Sequence, residues 1–202
     1  MSTVDESGFL HRAAPSPETQ RLYDDDINGV GFVMNLSRLW ALQPAALDAL
    51  SELLAQVARA GALTLRQRAI LVAASASTLG DAYCSLAWGA KLAAEAGEDV
   101  AGAVLRGDDD LLHPQDRALA RWARATTRDP NKTSVDDVQS LRDAGFDDSQ
   151  IFAITVFVAL RIAFATVNDA LGARPDRTLS ERAPEAVRAA VTFGRPVGTG
   201  EA

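Results

Sequence analysis

Asp81, Tyr83, Cys84 and Trp88 lie close together in one short stretch, and Cys84 is the only cysteine of the chain. A thiol one turn into a helix and beside a carboxylate is a candidate nucleophile. A carboxylate beside large aromatic side chains is a candidate acid or base. Residues three and four apart share a helix face, so Asp81, Cys84, Trp88 and Lys91 or Leu92 form one stripe. Asp81 follows Gly80 and precedes an apolar run, which predicts an N-cap whose carboxylate accepts the backbone N–H of Tyr83 or Cys84. Cys84 then sits at the third helical position. The helix terminus favours the thiolate there and the neighbouring carboxylate disfavours it, so the spacing predicts no strongly acidic thiol. The same residues also suit a plain structural part, a cap followed by a small buried cysteine.

A second pair of polar residues falls in the most apolar part of the chain. Arg161 and Asn168 are seven apart and share one helix face. A buried arginine needs a negative partner, which Asp81 or an anionic ligand would supply. Alternatively Arg161 meets a neighbouring subunit or reaches the surface. With Tyr83 and Trp88 as pocket walls, Arg161 and Asn168 complete the candidate substrate-binding set.

The elements that must position these residues are all helical. Residues 1–20 mix Ser, Pro, Glu and Thr without periodicity and read as a mobile tail. Asp24–Asp26 and the following "INGVG" read as a solvated acidic loop, with cation binding by the three aspartates as the alternative. A short helix is expected over Phe32–Leu42, with Phe32, Leu36, Leu39 and Trp40 inward. Pro44 opens the next helix, with Leu47, Leu50, Leu53, Leu54 and Val57 at helical spacing and Gly61 as its stop. Thr64 caps a helix in which Leu65, Ile70, Leu71 and Val72 pack. Arg66 and Arg68 are exposed in this reading, and small residues fill Ala73–Ser77. The helix of Asp81 runs to about Ala96, followed by a short one over Glu98–Leu105. His113–Asp116 enters another helix with Pro at its first position. Ser134 caps the next and forms a capping box with Asp137. The longest helix starts at Asp148 or Ser149, runs to about Leu171, is apolar nearly all round, and is expected to be the buried central one. Ser180 caps a last amphipathic helix to Phe193, after a linker over Pro175–Ser180. Residues 195–202 read as a flexible tail. The fold class is all-α, with eight or nine helices around a buried central helix in one domain over residues 21–194.

Apolar residues make up 48% of the 202 and charged residues 23%, ordinary for a soluble globular chain. The net charge of −7 argues against nonspecific nucleic-acid binding and against anionic membranes. The polar, acidic N-terminus lacks signal-peptide character, and the apolar run Ile151–Leu160 is too short to span a bilayer. A lone cysteine fits a reducing cytoplasm. His11 and His113 lie far apart, His11 reading as solvated and His113 as a helix-entry residue. No metal-ligand spacing, phosphate loop or Ser–His–Asp signal is present, so no metal or cofactor is expected.

Three stretches, "DINGVGFVMNLSRLWALQPAAL", "GALTLRQRAILVAASAS" and "DAGFDDSQIFAITVFVALRIAFATVNDALG", resemble the framework of the alkylhydroperoxidase D-like (AhpD-like) and carboxymuconolactone decarboxylase family over about residues 21–175. The resemblance implies a small all-helical homo-oligomer, a trimer or a hexamer built from trimers. The family's peroxidase branch carries a glutamate, a Cys-x-x-Cys twelve residues on, and a histidine four residues after the second cysteine. Here Ala69 stands at the glutamate position, Asp81 at the first cysteine, Cys84 at the second and Trp88 at the histidine. Only one of the four is kept.

Three functions compete. A family-type peroxidase through Cys84 needs a thiolate and a proton relay, which Ala69 and Trp88 cannot give, and an external thiol to reduce the sulfenic acid. Acid–base chemistry at Asp81 follows if burial raises its pKa, with Arg161 or Lys91 holding a small organic acid, lactone or oxo compound. The decarboxylase branch, which works without the cysteine pair, implies that class by resemblance. The third is a non-catalytic oligomer that binds a ligand.

Overall fold

The computed structural model describes residues 8–199 of the chain, and every regular element among them is helical. Eight helices exceed six residues: α1 (Pro17–Val30), α3 (Pro44–Ala60), α4 (Leu65–Leu79), α5 (Ala82–Ala96), α6 (Glu98–Arg106), α7 (Pro114–Arg128), α8 (Val135–Asp143) and α9 (Asp148–Ala170). Three more have six residues each: α2 (Asn35–Trp40), α10 (Arg177–Arg182) and α11 (Glu185–Ala190).

The starts follow local chemistry. Thr64 Oγ1 accepts the Gln67 N–H while the Gln67 side chain accepts the Thr64 N–H, and Ser134 with Asp137 forms the same reciprocal box. Pro44 and Pro114 occupy first-turn positions, where a missing N–H costs nothing. His113 is the exposed entry residue of α7, and His11 is exposed as expected.

The centre of the bundle is α4. All of Ala69–Ala76 is buried, and α5, α6, α7 and α9 pack around it. Alanines and Ser75 permit this, because a helix without bulk can be approached from every side. Ser75 Oγ returns to the Leu71 carbonyl at 2.8 Å and so leaves no free polar group. A larger side chain at Ala73 would overpack the core, at about 1–3 kcal/mol. The long apolar helix α9 is therefore not the most enclosed one. It buries Ile154, Phe157, Val158 and Phe164 against α3, α4 and α7, and leaves Phe152 72% exposed. By length and composition alone α9 would suffice to cross a membrane. Here it packs on α3, α4, α7 and α8 and carries Arg161 in its middle.

Several boundaries differ from expectation. The acidic segment Asp24–Asp26 is helical, because Ser16 caps α1 and Gln20–Asp24 and Arg21–Asp25 pair one turn apart. Gly31, at φ +88°, is the real stop. Among the described residues no group of three acidic, His or Cys side chains is arranged to hold a metal. α2 is shorter than expected, Leu53 and Leu65 are exposed, and Arg66 is half-buried in an ion pair with Asp116 at 2.7 Å. The last helix is broken in two at Pro184, which forces Ala183 into the extended region. Of the two expected tails, residues 1–7 and 200–202 lie outside the described residues. The nearer parts are attached: Phe9 N–H donates to the Leu171 carbonyl at 2.7 Å and Gly198 N–H to the Pro175 carbonyl at 2.9 Å.

Candidate functional site

The turn between α4 and α5 sets the site. Gly80 takes the left-handed conformation at φ +79°, which reverses the chain and delivers Asp81 as the cap of α5. Asp81 Oδ1 accepts the Cys84 N–H at 2.9 Å, as the spacing predicts. Its other oxygen, Oδ2, is buried without a hydrogen-bond partner, and Asp81 as a whole is 0% exposed. An unmet buried acceptor costs about 1–3 kcal/mol, more when charged. Burial accordingly raises the Asp81 pKa above the usual carboxyl value, against the Cys84 hydrogen bonds and the Arg161 charge, which pull it down.

Cys84 lies one turn into α5, buried, with Arg161 Nη2 3.4 Å from its Sγ. Burial dominates here too. It pushes the thiol far above its ordinary range; Arg161 opposes it, and Asp81 adds to it. Both burial and the Asp81 carboxylate therefore favour the protonated thiol.

Arg161 reaches this place from the middle of α9. Its guanidinium stands 5.1 Å from the Trp88 ring centroid and 4.9 Å from that of Phe164, so two aromatic faces hold it. Its Nε is buried with no partner. Lys91 Nζ lies 4.3 Å from the same Trp88 ring, and the lysine pKa is lowered by burial of the amine and by the Arg161 and Arg68 charges. Among the described residues no carboxylate comes within ion-pair distance of Arg161 or Lys91. Two cations sharing one indole, unpaired, in a chain of net charge −7, make a local positive field.

Asn168, two turns after Arg161, is 0% exposed. Its Oδ1 accepts the Trp40 Nε1–H at 2.8 Å, and its Nδ2 is unmet. Trp40 stacks on Phe164 with centroids 5.5 Å apart, which links Asn168 to the Arg161 clamp. Ser85 Oγ, one turn beyond Asp81, is a further buried hydroxyl without a partner.

Asp81, Cys84, Trp88 and Arg161 therefore come together, with Asn168 joined through Trp40 and Phe164. Tyr83 does not join them. Its hydroxyl donates a short hydrogen bond to Asp176, beside Leu39 and Ala173 on another side of α5. Asp176 also accepts the Asn35 N–H at 2.9 Å, so this pair ties the segment before α10 to α2. Burial raises both pKa values. The expected linker over Pro175–Ser180 is in this respect a structural clasp.

Sequence reasoning missed Asp169. It is half-buried at the C-terminal end of α9, and its pKa is raised to about 6 by burial and the Asp81 charge, with Arg195 opposing. Arg195 donates from Nη2 to the Asp169 carbonyl at 2.7 Å. No local pattern marks this contact, since the partners come from opposite sides of a turn and two short helices. Asp169 had one available signal, an acid beside Asn168 on the helix that carries Arg161.

No family model matches the chain, and no curated protein matches it in sequence. Solved structures do match its fold. One is a peroxidase-related protein from Silicibacter sp. TM1040, with a TM-score of 0.73 and 20% identity over 88% of this chain and 96% of that one. Another is an alkylhydroperoxidase AhpD core, a peroxidase-related protein from Ralstonia eutropha JMP134, with a TM-score of 0.68 and 22% identity over 92% of this chain and all of that one. The chain therefore has the AhpD-like fold.

Proposed function

We propose that the protein acts on a small organic anion, an acid, lactone or oxo compound, by acid–base chemistry at Asp81. The observation that carries this reading is the orphaned Oδ2 of Asp81, fully buried and held at a raised pKa, with the unpaired Arg161 charge acting on it. A carboxyl group in this state is matched to moving protons near neutral pH better than an exposed one. Arg161 holds the anionic group of the substrate, and Trp88 and Phe164 keep the guanidinium flat and oriented. Asn168 Nδ2 and Ser85 Oγ are spare polar groups for the rest of the ligand.

A thiol reading competes with it, since the printed names of the fold neighbours call them peroxidase-related. Against it stand the burial of Cys84, which disfavours its thiolate, Ala69 and Trp88 at the relay positions, and the absence of a second cysteine in the chain. The test is turnover of hydrogen peroxide and tert-butyl hydroperoxide with dithiothreitol, beside a screen of lactones and 2-oxo and 3-oxo acids. Acid–base chemistry requires turnover in the screen that survives Cys84→Ser and is lost in Asp81→Asn. Peroxide turnover abolished by Cys84→Ser would instead establish the thiol. No turnover in either arm, with saturable binding of a screened acid, would leave a ligand-binding protein.

We also propose a homo-oligomer, formed through the outer face of α9. Phe152, Ala159 and Ala163 lie on that face, exposed and apolar.

A further inference from the structure

The face of α5 opposite Cys84 carries a cleft. Ala82 and Leu86 are one turn apart, as are Cys84 and Trp88. The two-residue offset places the two stripes about 200° apart around the helix. The cleft has a volume of about 400 Å³, within the range of small-molecule sites. Ala82 and Leu86 form its floor, and α10, α11 and the segment 191–197 form its walls.

Its lining is selective in charge. The polar side chains are Ser180, Thr192, Arg188 and Arg195, and no carboxylate lines it, although the chain has 27 acidic residues. Arg188 Nη1 donates to the Ala183 carbonyl, and Arg195 Nε and Nη2 both donate to the Asp169 carbonyl. Among the described residues that leaves Arg188 Nε and Nη2 and Arg195 Nη1 without a protein acceptor, and neither arginine forms an ion pair. Two guanidiniums held in place by carbonyls, with donors to spare and an apolar floor, match an anion with a hydrophobic body.

We infer that this cleft is a second ligand site, distinct from the Asp81–Arg161 site, and that it takes a small monocarboxylate with an apolar tail or ring. The carboxylate meets Arg188 and Arg195, and the body lies on Leu86, Val191 and Val197. The site is joined to the first one by backbone. Gly194, at φ +74°, packs so tightly on the Asp81 turn that a Cβ there would come 2.4 Å from the Gly80 carbonyl oxygen and 2.8 Å from the Ala82 nitrogen. Arg195 is bonded to the backbone carbonyl of Asp169, the residue whose carboxyl feels the Asp81 charge. A ligand in the cleft therefore touches the segment that braces Asp81.

The test uses the full chain with hexanoate and benzoate as probes and hexanamide and benzamide as neutral counterparts. Calorimetry should give saturable binding of an acid, with Kd on the order of 1 mM or tighter, and at least about tenfold weaker binding of its amide. Amide ¹H–¹⁵N shifts should move at residues 180–197 and leave the Trp88 indole signal in place. Arg188→Gln should weaken the acid about tenfold, whereas Arg161→Gln should not. Equal binding of acid and amide would overturn the inference, as would shifts centred on Trp88 or loss of binding in Arg161→Gln alone. The acid–amide comparison needs no variant and stands even if Arg188→Gln fails to fold. Loss of turnover in Asp81→Asn bears on the first site only, so the two readings fail separately.

Discussion

Asp81 has two jobs in this structure, and substitution separates them. Oδ1 caps α5, and Oδ2 is buried with no partner. Asn keeps the capping oxygen and removes the ionisation; Ala removes both. A folded-state pKa above the unfolded one means that the folded protein holds the proton more tightly. That contribution to stability is complete below the unfolded value of about 3.8 and is lost as pH rises through the raised folded value. At neutral pH the ionised carboxylate is a net cost, about 1.4 kcal/mol for each unit of elevation. Asp81→Asn should therefore be at least as stable as the parent at pH 7, and its advantage should shrink toward pH 4. Asp81→Ala loses the cap, at about 1 kcal/mol, and should fall below Asp81→Asn at both pH values. Urea unfolding of the three proteins at pH 7 and pH 4 measures both effects. In a turnover assay Asp81→Asn should lose about a hundredfold or more. If Asp81→Asn is less stable than the parent at pH 7, the ionised carboxylate is held by Arg161 as a net-favourable pair and the reasoning fails. If it is as active as the parent, Asp81 is only a cap.

Cys84 should alkylate slowly with iodoacetamide, with no inflection in rate near neutral pH, because burial favours the thiol; a midpoint below about 7 would refute this. The Asp169 side chain should titrate near 6 by NMR, and Asp169→Asn should remove the part of the stability profile that is present below about 3.8 and lost as pH rises through about 6. Light scattering at micromolar concentration should show an oligomer for the parent and a smaller species for Phe152→Glu; a parent monomer contradicts the assembly. Asp109→Ala should destabilise by about 3–5 kcal/mol in urea, since it strips the buried Arg124 of the carboxylate 2.7 Å from its Nη2.

Helix ends were legible where one side chain acts on a backbone group three residues away. Thr64, Asp81 and Ser134 all cap as their spacing predicts, and Pro44 and Pro114 open helices. The pairing of Arg161 with the Cys84 stripe was legible in part, because a lone arginine in an apolar helix must meet something polar or aromatic. It meets a thiol and two rings. The rank of the helices was not legible. Periodicity marks α9 as apolar all round, yet enclosure depends on how closely neighbours approach, and the small residues of α4 decide that. The acidic Asp24–Asp26 stretch of α1 reads as a loop from sequence because the two glycines that follow outweigh its two i,i+4 pairs and the Ser16 cap. Tyr83 with Asp176, and Asp169 with Arg195, join residues distant along the chain, and no local pattern encodes such contacts.

The central claim is that the chemistry belongs to a buried carboxyl group and not to the thiol. A ¹³C-detected titration of the Asp81 side chain, assigned by comparison with Asp81→Asn, tests it most directly. The structure predicts a midpoint clearly above 3.8, shifted by burial. A midpoint at or below 3.8 would mean that Asp81 is an ordinary ionised cap, and the acid–base reading would be contradicted.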